Sequence, residues 1–161
     1  FQIMTTDYPL LPEEAAAPPT VEFHVEEVHP AMPDAELMQR WLEGLVEREN
    51  GTLHRLTFIF CSDQYLHQLN LQYLQHDTFT DIITFPYREA PEVEGDIFIS
   101  IDRIRDNATR FDVSFDRELH RVMAHGVLHL CGYLDKTPED KKRMTQKEND
   151  ALSLLEQLKP A

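Results

Sequence analysis

The chain is short of cysteine, of long apolar runs and of positive charge, and each shortage removes a class of protein. Its 161 residues hold two cysteines, Cys61 and Cys131, too few for a disulfide framework or a thiolate zinc knuckle, and both are expected reduced. No apolar run approaches the ~18–20 residues of a membrane span, and the N-terminus lacks the basic, apolar and small-residue zones of a secretory signal. The expectation is a cytoplasmic protein. Lys and Arg number 15 against 29 Asp and Glu, a net charge of −14. Such a chain repels nucleic acid on average, so composition alone argues against an RNA or DNA substrate. The shortage is local, however. Residues 1–101 carry 4 Lys and Arg against 18 Asp and Glu, whereas residues 102–161 carry 11 of each. In that second part Arg103, Arg105, Arg110, Arg117 and Arg121, then Lys136, Lys141, Lys142, Arg143 and Lys147, either line a basic track or pair with acids on solvated helix faces.

What is present is enough apolar residue, 42% of the chain, for one domain with its own core. Residues 1–20, with four prolines and an alanine run, read as a flexible extension, and residues 21–161 as a single domain. Val21, Phe23 and Val25 alternate with polar residues as in a half-buried strand. Asp34 caps a helix with Leu37, Trp41, Leu42, Leu45 and Val46 as its apolar stripe and Gly51 beyond its end. Leu56 to Cys61 reads as a strand. Asp63 is expected to cap a second helix with Leu66, Leu69 and Tyr73 inward. After a polar loop over 74–81, Ile82 to Phe85 and Gly95 to Ile101 complete four strands. The remainder is helical: 102–111, Phe115 to Cys131, and a last helix opened by Thr137-Pro138-Glu139-Asp140. Four strands with flanking helices give an α+β (mixed α/β) domain.

The densest chemistry lies in H-G-V-L-H-L-C-G-Y-L-D, residues 125–135. On a helix His125 and His129 share one face, one turn apart. Gly132 tolerates the left-handed conformation that turns the chain back and brings Asp135 toward the same point. Three ligands and an open position result, with zinc the first choice. The spacing matches the metzincin peptidases, H-E-x-x-H-x-x-G-x-x-H, except that their catalytic glutamate is Gly126 here, so a peptidase is not expected. Cys131 points about 200° around the helix from His129, and His120 about 140° from His125. Neither is a fourth ligand.

Three segments in order resemble the YbeY family of bacterial endoribonucleases over most of residues 21–155. Leu69-Asn70, Tyr73, Asp77, Thr80-Asp81, Phe85 and Pro86 are similar to its L-N-x-x-Y-R-x-K-D-x-P-T-D-V-L-S-F-P stretch. Gly95-Asp96-Ile97 is similar to its G-D-I strand, and His125 to Asp135 to its H-G-x-L-H-L-x-G-Y-D-H. The resemblance implies an α+β fold with a mixed sheet, one zinc ion per chain, and cleavage of single-stranded ribosomal RNA during maturation of its 3′ end and ribosome quality control, with a ribosomal subunit or ribosomal proteins as partners.

Asp135 stands where the family has its third histidine, Leu74 where it has an arginine, His76 where it has a lysine, and Phe79 where it has a proline. The lost arginine removes a planar cation suited to phosphate, for which His76, Arg117 or Arg121 are the candidate replacements, with Lys136 a further RNA contact. The proton acceptor is Asp77, Asp81 or Asp96, or none, and Asp81 and Asp96 serve equally well as turn caps. Two other classes stay open at this point: a non-haem iron enzyme, which also uses two histidines and a carboxylate, and a ribosome-associated binding module whose metal is structural.

Overall fold

Phe58, Ile59, Phe60 and Cys61 are all buried, with no polar residue between them, because their strand lies inside a sheet with material on both faces. The computed structural model describes residues 17–75 and 79–160. In chain order the elements are β1 (Thr20–Glu26), α1 (Ala35–Arg48), β2 (Thr52–Cys61), α2 (Asp63–Leu69), β3 (Ile82–Pro86), β4 (Glu92–Ser100), α3 (Ile101–Phe111), α4 (Phe115–Leu130) and α5 (Pro138–Leu158). A π-helical turn, Asn70–Leu74, continues α2. The sheet order is β1-β2-β4-β3. The first three strands run parallel and β3 pairs antiparallel with β4, so the sheet is mixed.

The register separates two faces. Leu56, Phe58 and Phe60 lie beside Gly95, Ile97 and Ile99, and the apolar members of that row join Trp41, Leu42 and Leu45 of α1 and Val122, Met123 and Val127 of α4 in the main core. On the opposite face a smaller cluster of Cys61, Leu66 and Ile83 packs with Tyr65, Phe85 and Phe98. The rest of that face is an open trough lined by Glu22, His24, Glu26, Arg55, Thr57 and Asp96 among others. Helix α5 lies against α1 and α4, and the Trp41 indole N–H donates to the Ala151 carbonyl at 2.8 Å.

Local chemistry fixes the helix ends. Asp34 caps α1 as expected and Thr137 caps α5 with Pro138 in its first turn. Ser62 caps α2, one residue before the expected Asp63, because its hydroxyl accepts from the Tyr65 N–H. Asp63 instead pairs with Arg103 at 2.9 Å. Strand β2 starts at Thr52 and β4 at Glu92, earlier than periodicity indicated, since Leu53 and Arg55 pair with Val93 and Glu94 across a register shift at His54. Tyr73 is exposed rather than inward, because the π-turn alters its angular position. The extension expected over residues 1–20 falls largely outside the described residues.

Candidate metal centre

Helix α4 carries the site and its own sequence sets its depth. Leu119, Val122, Met123, Val127 and Leu128 form the buried stripe, which leaves His125 and His129 at the margin with side chains 18% and 26% exposed. Gly126 sits where α4 crosses the sheet: a Cβ there would come within 2.9 Å of Ile82 Cδ1 and 3.1 Å of Ile97 Cγ2. The position that a zinc peptidase gives to its glutamate is therefore filled by the sheet. At the helix end the Gly132 N–H donates to the His129 carbonyl and the Tyr133 N–H to the Leu128 carbonyl, with Gly132 at φ +104. This is a Schellman ending, and a Cβ-bearing residue at that φ is strained. The turn carries Asp135 back over the helix.

The three groups then converge. His125 Nε2 and His129 Nε2 lie 3.0 Å apart, and Asp135 Oδ2 is 3.3 Å from each. A tetrahedral ion with bonds of ~2.0–2.1 Å spaces its ligand atoms by about 3.3–3.4 Å, so the trio fits a zinc-sized cation. Among the described residues it is the one group of His, Cys, Asp and Glu found within metal-holding distance. The donor set suits the ion as well: two imidazole nitrogens and a carboxylate oxygen leave a fourth position open.

The outer partners differ for the two histidines. His129 Nδ1 lies 2.8 Å from the Tyr133 carbonyl, which fixes a proton on Nδ1 and leaves Nε2 free. The Tyr133 turn is pinned in its turn. Its hydroxyl donates to Glu49 at 2.5 Å, Lys147 Nζ donates to the same carboxylate at 3.1 Å, and the ammonium lies over the Tyr133 ring. Burial, then the bond to Glu49, pushes the Tyr133 phenol up, and Glu49 holds the Lys147 ammonium up. His125 Nδ1 is buried with no hydrogen-bond partner among the described residues, and the nearest carboxylate is Glu148 of α5 at 3.7 Å.

The other sequence-derived candidates lie elsewhere. Asp96 cannot act as proton acceptor at the trio, because its neighbours Gly95 and Ile97 face α4 and alternation puts Asp96 on the opposite side of the sheet. There it accepts from the Tyr87 hydroxyl and pairs with Arg55. Asp81 ties the loop to α3 and β4: its carboxylate accepts from Asn107 and its carbonyl from the Ser100 N–H. Arg121 does not face a substrate, since its guanidinium is held between the buried carboxylates of Glu118 and Glu148. Arg117 is exposed near the start of α4, about 12 Å along the axis from His125. Lys136 is exposed beside Asp135. His76 and Asp77 lie outside the described residues. Cys131 packs at the core edge and burial pushes its thiol up to about 12, while His120 packs edge-on to Trp41 and burial lowers its affinity for a proton.

Glu148 escapes a reading by motif because it lies 13 residues beyond Asp135 on another helix. A signal was present all the same: with Met144, Ala151, Leu152 and Leu155 it falls on the buried stripe of α5, and a carboxylate there requires a partner.

Comparison with known proteins accords with this geometry. The model of the family described as Endoribonuclease YbeY matches residues 23–156. An Endoribonuclease YbeY of Amoebophilus asiaticus is 46% identical over 130 residues, covering 80% of this chain and 88% of the relative. Its counterpart in Flavobacterium johnsoniae is 47% identical over 115 residues, covering 71% and 83%. The solution structure of a Thermotoga maritima protein, 28% identical, superposes with a TM-score of 0.61 over 84% of this chain and 89% of that one. With the same fold and a matching sequence over most of its length, the chain belongs to the Endoribonuclease YbeY family, hydrolases that cut RNA internally.

Proposed function

We propose that the chain cleaves single-stranded RNA with one zinc ion held by His125, His129 and Asp135, and that its substrate is ribosomal RNA in maturation, presented in the cytoplasm by a ribosomal subunit or ribosomal proteins. The observation that carries this reading is the convergence of two imidazole nitrogens and one carboxylate oxygen within 3.0–3.3 Å, at a margin open to solvent. An ion bound there supplies a Lewis acid for a phosphoryl oxygen and makes a coordinated water more acidic.

The residues of the chain do the rest. Tyr133 O holds the His129 ring in the ligating tautomer. Asp135 lowers the charge of the site by one unit relative to a third histidine. Gly126 leaves no carboxylate where a peptidase activates water, which favours a phosphodiester over a peptide. Lys136 and Arg117 are the exposed cations offered for phosphate contact. So few contacts give weak non-specific affinity with a shallow salt dependence, and for that reason the RNA needs a ribosomal partner to position it. Both histidines share one helix, unlike the β-scaffold usual for a non-haem iron triad.

The test combines metal analysis of the purified protein with cleavage of unprocessed RNA on ribosomal subunits. One zinc per chain and cleavage abolished by chelator and by His129→Ala are expected. Cleavage that survives both controls belongs to a contaminant. No cleavage by zinc-loaded wild type on any such substrate replaces the enzyme reading with a ribosome-binding module.

A further inference from the structure

We propose that Glu148 is a positioning residue for the metal site, accepting a hydrogen bond from His125 Nδ1 and so holding Nε2 of that ring toward the cation. The proposal rests on the reading that His125, His129 and Asp135 bind a metal.

Two independent observations lead to it. The first is the asymmetry between the histidines. His129 has a carbonyl acceptor at 2.8 Å, whereas His125 Nδ1 is buried and unpartnered. A neutral imidazole that ligates through Nε2 carries its proton on Nδ1, and a buried N–H without an acceptor costs the desolvation of that group. Glu148 Oε2 at 3.7 Å is the carboxylate within reach, and closing to a hydrogen bond takes a movement of about 0.7–1 Å.

The second observation is a charge imbalance in the interior. Glu118 and Glu148, with side chains 2% and 6% exposed, share a single cation, Arg121. Arg121 meets Glu118 through Nε and Nη2 and Glu148 through Nη1. Two buried carboxylates and one guanidinium leave an excess negative charge that the low-dielectric interior tolerates poorly. The face of Glu148 turned toward His125 is where a positive partner stands, namely the imidazole N–H with a cation behind it. Arg121 pairs with that carboxylate at 3.1 Å and fixes its orientation. The arrangement is a carboxylate–histidine–metal relay built across α4 and α5.

The experiment measures zinc affinity by chelator competition and the His125 ring protons by NMR in the zinc-loaded protein. Wild type, Glu148→Ala, Glu148→Gln and Glu118→Gln are compared. Glu148→Ala is expected to weaken zinc binding by about 10–100-fold. Glu148→Gln, which keeps an acceptor oxygen, is expected to weaken it less. Glu118→Gln, which disturbs the same ion cluster away from His125, is expected to change affinity by less than about threefold. The loaded wild type should show a slowly exchanging Nδ1 proton on His125 that Glu148→Ala loses.

Zinc affinity within about threefold of wild type in a folded Glu148→Ala protein overturns the proposal. If that variant fails to fold, equal losses in Glu148→Gln and Glu118→Gln, or a loaded wild type without the Nδ1 proton, overturn it instead. A wild type that takes up no zinc at all defeats the metal reading itself, an outcome distinct from these.

Discussion

Replacing Gly126 by alanine sets two known effects against each other. In an exposed helix interior the change stabilises by up to about 1 kcal/mol, because glycine loses more backbone freedom on folding. At Gly126 the new methyl would lie 2.9 Å from Ile82 Cδ1 and 3.1 and 3.2 Å from Ile97 Cγ2 and Cδ1, against a carbon–carbon optimum of ~3.5–4.0 Å. Ile82 is half-buried and its terminal methyl can turn aside, but Ile97 is fully buried between Phe58 and Thr84 in the sheet. Overpacking of this kind costs about 1–3 kcal/mol. The mid-range cost of about 2 kcal/mol less the gain of about 1 leaves a net loss of about 1 kcal/mol, or a fall in Tm of roughly 2–4 °C for a chain of this size. Urea unfolding of Gly126→Ala, Ile82→Val and the double variant checks it. Ile82→Val removes the nearest methyl, so Gly126→Ala should cost less in that background by about 0.5 kcal/mol or more. A Gly126→Ala protein as stable as wild type, or the same cost in both backgrounds, refutes the close-approach account.

Asp135→His keeps three ligands and leaves the bound cation one unit more positive, so the pH optimum of RNA cleavage should move down; normal metal uptake with an unchanged profile would remove Asp135 from the ligand set. Tyr133→Phe deletes the hydroxyl that donates to Glu49 and is expected to cost about 1–2 kcal/mol in urea unfolding. Because His129 is oriented by the Tyr133 backbone carbonyl, zinc affinity should change by less than about threefold, and a tenfold loss contradicts that division. Burial raises the Cys61 and Cys131 thiols from 9.0 to about 12, so between those values the unfolded chain has released protons that the folded one retains. Their stabilising contribution is full below about pH 9 and is lost as pH rises toward about 12. Urea midpoints measured across the accessible lower part of that window should fall, and the Cys61→Ala, Cys131→Ala double variant should fall less steeply; equal slopes refute the assignment.

Elements that depend on local chemistry were legible from the sequence. The helix caps at Asp34 and Thr137 and the Gly132 ending of α4 each follow from residues within a few positions of one another. The convergence of His125, His129 and Asp135 was legible for the same reason, since one helical turn and one tight turn span it. What required the fold was everything that depends on which strand lies beside which. Asp96 and Ile97 are adjacent in sequence and on opposite sides of the sheet, and strand periodicity alone does not say which side faces α4. Arg121 and Glu148 meet because α5 packs on α4, a contact across 27 positions that no local spacing encodes.

The same division of faces removes the apparent conflict between an acidic chain and an RNA substrate. Most of the acid excess lies in residues 1–101, and much of what the sheet displays from that part, Glu22, Glu26 and Asp96, lines the trough on the face away from α4. The metal trio sits on α4 and its following turn, within the part where Lys and Arg equal Asp and Glu in number. Screening at physiological salt acts over about 8 Å, shorter than the span from the trough across the sheet and the ~10 Å layer of a packed helix. An approaching phosphate backbone therefore meets the local charge around Asp135 and Lys136, and of the cation proposed there, rather than the total of −14. It is strand alternation, acting at Gly95, Asp96 and Ile97, that keeps the acidic face of one small sheet apart from the face covered by α4, which carries the candidate site.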